Sequence, residues 1–67
     1  EFEVLSGAKV TKKVIKELNF PRDAVFGGII RDGKALISDG DFQVISGDKV
    51  IVFCLPEAIH IVEDLFR

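Results

Sequence analysis

Sixty-seven residues of which 48% are hydrophobic, with a mean hydropathy of +0.31, make one small domain. Folding hides only about 60% of the surface of so short a chain, so apolar side chain is left over. Nine basic against 11 acidic residues, net charge −2, exclude a general nucleic-acid binder, and one Cys with one His excludes an internal disulfide and a Cys/His zinc site.

The remaining way to hide the surplus is association with a second copy. No apolar run approaches the ~20 residues of a membrane-spanning helix. The chain does not begin with Met, and it is expected to be a piece of a longer intracellular protein.

Phe2-Glu3-Val4 alternates as a short edge strand does, and Ser6-Gly7 ends it. Val10, Val14 and Leu18 fall at i, i+4 and i+8 with Ile15 beside them, which predicts a helix of about two to three turns. Asn19-Phe20-Pro21 stops that helix, and Lys12, Lys13 and Lys16 read as its solvated face. Ala24 to Ile30 is an apolar strand containing Gly27-Gly28, a pair that marks a bulge or a close approach.

Asp32-Gly33 predicts a two-residue type I′ hairpin, with Arg31 and Lys34 facing each other across it. After Ala35-Leu36-Ile37 the chain turns at Asp39-Gly40-Asp41 and again at Ser46-Gly47-Asp48, before a last strand over Val50 to Phe53. Pro56 opens a second helix. Its apolar residues Ala58, Ile59, Ile61, Val62, Leu65 and Phe66 cover an arc of about 160°, wider than one small sheet needs, so this helix or the neighbouring strand is expected to meet a partner subunit. The likeness of Val4–Val10 to Val44–Val50 is too short to carry weight as a repeat.

The fold class that follows is α+β: one domain over residues 1–67, with a small antiparallel or mixed sheet, an N-terminal and a C-terminal helix packed on it, and the order β-α-β-β-β-α.

Little of the chain reads as chemistry. His60 lies on the polar side of its helix and Cys54 in a strand at the other end of that helix, so they make no nucleophilic pair, and no base and nucleophile share a cleft. The chain is read as not an enzyme. Asp32, Asp39, Asp41 and Asp48 sit in Gly-rich turns, but their spacing is not that of a calcium loop and turn chemistry accounts for each; no metal is assigned. There is no Gly-rich dinucleotide fingerprint and no phosphate-binding loop. Arg31, at the end of an apolar strand beside a tight turn, suits bidentate capture of a phosphate or carboxylate; the plain alternative is an ion pair with a nearby Asp.

The order Pro21, Ala24-Val25, Ile29-Ile30-Arg31-Asp32-Gly33, Leu36-Ile37, Asp39-Gly40-Asp41, Gly47-Asp48-Lys49-Val50-Ile51-Val52-Phe53 and a helix from Pro56-Glu57 to Leu65-Phe66 resembles the TrkA C-terminal domain, also called the RCK C-terminal domain. The resemblance covers nearly the whole chain, with Ser38 where the family often has Pro and Cys54 where it often has Gly. It implies a cytoplasmic regulatory lobe that forms homodimers and serves a membrane transporter or channel for potassium or another cation, in cis or in trans, at the cytoplasmic side of that protein. It further implies a small anionic ligand, cyclic di-AMP among the candidates, bound at the dimer interface and gating transport through dimer geometry. Arg31 is the family's candidate ligand contact, with Ile29 and Ile30 beside it. No cofactor is expected in this domain beyond such a regulatory cyclic dinucleotide. The alternative is a purely structural dimerisation module with no ligand.

Overall fold

A computed structural model describes all of residues 1–67. Four antiparallel strands, β1 (Phe2–Glu3), β2 (Ala24–Arg31), β3 (Lys34–Leu36) and β4 (Lys49–Cys54), form one sheet in the order β1-β4-β2-β3, and one helix, α1 (Ile59–Leu65), follows them. The α+β class stands. A 3-10 turn over Pro56–Ala58 leads into α1, with Pro at its first position where the missing N–H costs nothing. Asp32 (φ 52°) and Gly33 (φ 77°) both take the left-handed region, as the type I′ hairpin requires, and Arg31 pairs with Lys34.

The core lies on one side of the sheet. Val4, Ala8, Val10, Ala24, Ile29, Val44, Val50, Ala58, Val62 and Phe66 form a single buried cluster. Three aromatic contacts run along its edge: Phe2 stacks on Phe66 with ring centroids 5.1 Å apart, Phe26 tilts against Phe66, and Phe20 meets Phe26 at 4.6 Å. Such pairs each add about 0.5–1.5 kcal/mol beyond the area they bury.

The N-terminal helix predicted over Val10 to Leu18 does not form. Two separate 3-10 turns, Lys9–Thr11 and Ile15–Glu17, take its place, and Val14 between them is extended (φ −66°, ψ 159°). The reason lies in the loop that faces them: the N–H of Ile15 donates to the Phe42 carbonyl at 2.9 Å, and that of Lys16 to the Gly40 carbonyl at 2.9 Å. Both donors are then lost to an i→i−4 ladder, and tertiary bonding overrides a helical period.

Gly27-Gly28 is a bulge. Phe26 pairs with Val52 and Gly28 with Ile51, so Gly27 is the extra residue. A Cβ on Gly27 would lie 2.5 Å from the Phe53 ring, whereas one on Gly28 would meet nothing within 4 Å. Gly27→Ala therefore pushes the Phe53 ring off the strand and is expected to cost about 1–2 kcal/mol in a denaturant titration. Gly28→Ala is expected to be neutral or to stabilise by up to about 1 kcal/mol.

The two Val-to-Val segments prove to be structural equivalents. Leu5–Ala8 and Ile45–Asp48 each close a turn by an N–H to carbonyl bond of 3.1 Å, with Gly7 and Gly47 at positive φ, and the same positions of the two segments are buried. The turns also bond to each other, Val4 N–H to the Asp48 carbonyl at 2.8 Å and Gly47 N–H to the Val4 carbonyl at 2.9 Å.

Candidate functional site

Strand β2 ends on Arg31, whose side chain lies on the core side of the sheet, in step with Ile29. The turn before β4 ends on Asp48, which the matched turns make equivalent to the buried Ala8. Where one copy buries a methyl group, the other buries a carboxylate, and a buried carboxylate needs partners.

It has three. Arg31 Nε donates to Asp48 Oδ1 at 2.8 Å, Arg31 Nη2 donates to Oδ2 at 2.8 Å, and the Ile45 N–H donates to Oδ2 at 3.0 Å. The Arg31 guanidinium lies over the Phe42 ring at 5.0 Å, and its Nη2 also reaches the Gln43 carbonyl at 3.4 Å. The hydrogen bonds from Arg31, reinforced by the Ile45 N–H, hold the Asp48 carboxyl below the usual carboxylate range, and the same bonds raise the Arg31 guanidinium. No buried side-chain polar atom is left without a partner. Between the two sequence readings of Arg31, the geometry supplies the ion pair. It does not use up the guanidinium: Nη1 makes no hydrogen bond, and the side chain remains 29% exposed.

The other candidates fall in different surroundings. Ile29 is fully buried in the core, so it sets the position of β2 and offers no surface of its own to a ligand. Ile30 is half-buried on the opposite side of the sheet, across from Ala35. The remaining turn aspartates have local tasks: Asp39 Oδ1 accepts from the Asp41 N–H at 3.0 Å, and Asp41 pairs with Lys16 at 2.7 Å. His60 is exposed beside Glu63, and Cys54 is half-buried.

The side of the sheet away from the core is bare: charged at Glu3 and Lys49 at one end, and apolar along Val25, Ile51 and Phe53. Val25 and Phe53 face each other across β2 and β4, with Ile51 next along β4, and Val25 and Phe53 are 62% and 67% exposed. The bulge helps make this face, since the absent side chain of Gly27 lets the Phe53 ring lie against the strand. On α1, Ile59 and Ile61 are exposed as well, while Ala58, Val62 and Phe66 turn into the core. The surplus apolar surface expected from composition is therefore located in part on the outer sheet face, with Ile59 and Ile61 of α1 and the exposed Leu5, Ile37, Ile45 and Leu55 carrying the rest. The strength of that sheet-face signal comes from contiguity, because scattered apolar residues are normal on any surface.

A family model described as the TrkA-C domain matches residues 1–67. The chain is 31% identical over 67 residues to "Trk system potassium uptake protein TrkA homolog 2" of Methanosarcina mazei, covering 100% of this chain and 15% of that protein. It is 33% identical over 64 residues to the TrkA homolog of Archaeoglobus fulgidus (96% of this chain, 15% of that one), and 34% identical over 61 residues to TrkA of Halomonas elongata (90% and 13%). The chain thus spans about 15% of the length of the first two relatives. A solved structure described as "Structure of RCK domain with cda" superposes with a TM-score of 0.83 at 24% identity, covering 98% of this chain and 93% of that one, and shares the fold.

Proposed function

This chain belongs to the TrkA-C domain family, and from that membership we propose that it is the homodimerising, ligand-sensing regulatory lobe of a potassium or other cation transport system. The observation that carries the reading is the open apolar sheet face of Val25, Ile51 and Phe53. A stable interface hides about 800 Å² per partner, roughly a sixth of this chain's 4535 Å². The partner is a second copy, which brings an identical apolar face to a two-fold contact. The relatives' names support potassium uptake as the process served. No helix of the chain is long and apolar enough to cross a membrane, and in this reading the lobe works at the cytoplasmic side of a separate or attached transport protein, with no enzymatic role.

The ligand of this reading is cyclic di-AMP, whose phosphates suit the free Nη1 edge of Arg31, with Ile29 fixing the strand from beneath and Ile30 turned to the opposite side of the sheet, away from that contact. That a similarly folded RCK domain is described with "cda" supports a small-molecule ligand for the fold. The ligand gates transport by binding one dimer geometry more tightly than another; equal affinity for both would shift nothing. Calorimetric titration of the dimer with cyclic di-AMP is expected to release or absorb heat and to saturate. A second reading, dimerisation with no ligand, is favoured by the Arg31–Asp48 pair, because Arg31 already has a structural task. A persistent dimer that gives no heat selects it.

A further inference from the structure

Lys9, Lys12 and Lys13 line a cleft of about 530 Å³, within the range of small-molecule sites. As the solvated face of a helix these lysines would point into open water. The structure breaks the segment into two turns, and all three lysines, still exposed, line one open cleft. None of the three takes part in an ion pair, and neither do Arg22, Lys34 and Lys49, but only the three line a common cleft. Glu17 is the one acid in the cleft, so the lining is net positive on a chain that is net negative. Asn19 adds a carboxamide, and Leu18 and Leu65 supply a small apolar wall.

The backbone that carries the lysines is fixed. Besides the Ile15 and Lys16 bonds to the facing loop, the Gln43 side-chain amide donates to the Thr11 carbonyl at 2.7 Å, and the Thr11 hydroxyl donates to the Ala8 carbonyl at 2.7 Å. Three unpaired ammonium groups lining one cleft are suited to a compact multivalent anion, because each acts as a point charge with three donors. We propose that this cleft binds a phosphate-bearing group, either a free small phosphate anion or the headgroup of an anionic phospholipid. The site uses neither Arg31 nor the outer sheet face, so it stands or falls separately from the dimer reading.

The test uses the 67-residue chain. Amide spectra are recorded against sodium pyrophosphate, and co-sedimentation is measured with phosphatidylcholine vesicles that contain or lack phosphatidylglycerol. Saturable shifts confined to Lys9–Asn19 and Leu65 with pyrophosphate identify a free anion, whereas phosphatidylglycerol-dependent sedimentation without them identifies a headgroup. In either case Lys12→Ala/Lys13→Ala is expected to weaken binding about tenfold, while Lys34→Ala leaves it unchanged. Glu17→Gln is expected to tighten it about twofold, and added salt to weaken it. The variants change exposed side chains, so their amide spectra should otherwise match the parent. Binding to neither probe, or an equal response to Lys34→Ala, overturns the assignment.

Discussion

Arg31→Ala is expected to remove about 3–5 kcal/mol of folding stability, because it leaves the buried Asp48 carboxylate with one hydrogen bond where it had three. A 67-residue domain has roughly 3–10 kcal/mol in total, so the variant sits at or past the edge of folding. Asp48→Asn, which keeps an acceptor for the guanidinium and leaves the surviving charge partly in water, is expected to lose less, about 1–3 kcal/mol. Replacing both partners together, Arg31→Met with Asp48→Leu, should recover most of the loss, since an apolar pair of similar bulk is often as stable as a buried ion pair. Urea unfolding of the four proteins measures all of this. A loss below about 1 kcal/mol for Arg31→Ala would mean that Asp48 finds water or another donor, and would return Arg31 to ligand duty alone.

The same pair sets a dependence on pH. Its hydrogen bonds depress the Asp48 carboxyl in the folded state, so the unfolded chain takes up a proton first as the solution is acidified. The contribution is in full force well above the unfolded value of about 3.9 and is lost as pH falls through that value toward the lower one of the folded protein. Asp48→Asn should flatten this part of the acid-unfolding curve while leaving the neutral range parallel to the parent. An unchanged acid limb would show that other carboxylates govern it.

Phe53→Lys is expected to abolish self-association while preserving the fold. The ring is largely exposed in one copy and rests on Gly27, so a lysine loses little within the subunit. In a face-to-face dimer the same position lies at the centre of the buried patch, where a large aromatic contributes about 2 kcal/mol or more, a factor of about 30 in dissociation constant. Two ammonium groups brought together across the two-fold axis weaken it further. Sedimentation equilibrium beside circular dichroism reads both quantities. A dimer that survives with unchanged affinity would move the interface to another surface, the exposed Ile59 and Ile61 of α1 being the next apolar one.

Where local chemistry decides the backbone, the sequence was a sufficient guide. Asp32-Gly33 admits few conformations other than a tight hairpin, Gly27-Gly28 in an apolar strand needs a reason and has one, and Pro56 starts the final helical segment. The segment from Val10 to Leu18 was different, since its apolar spacing fits a helix and equally fits two turns pressed on the core. The choice is made by carbonyls of Gly40 and Phe42, more than 20 residues away, and no window on the segment contains them. The family resemblance was correct across the whole chain.

The ion pair of Arg31 with an Asp was legible in the sequence, and so was which Asp. Set side by side, Val-Leu-Ser-Gly-Ala-Lys-Val and Val-Ile-Ser-Gly-Asp-Lys-Val align Asp48 with a small apolar residue, the mark of a carboxylate placed where a methyl group would serve. Such a position asks for a cation, and Arg31 closes the strand nearby. The lysine cleft had no comparable signal, because it exists only once the expected helix is broken.

The stacked rings of Phe2 and Phe66, with the Leu5 N–H reaching the Phe66 carbonyl at 3.3 Å, bring the two ends of the chain to one place. Polypeptide joined at both ends would leave from a common exit, so the lobe would hang as a pendant rather than sit in series. A pull applied across the ends would load the ring pair and the β1–β4 pairing at Phe2 first, ahead of the central strands. In single-molecule stretching, the first yielding event should therefore be small and should fall to lower force in Phe2→Ala, with the main rupture unaltered.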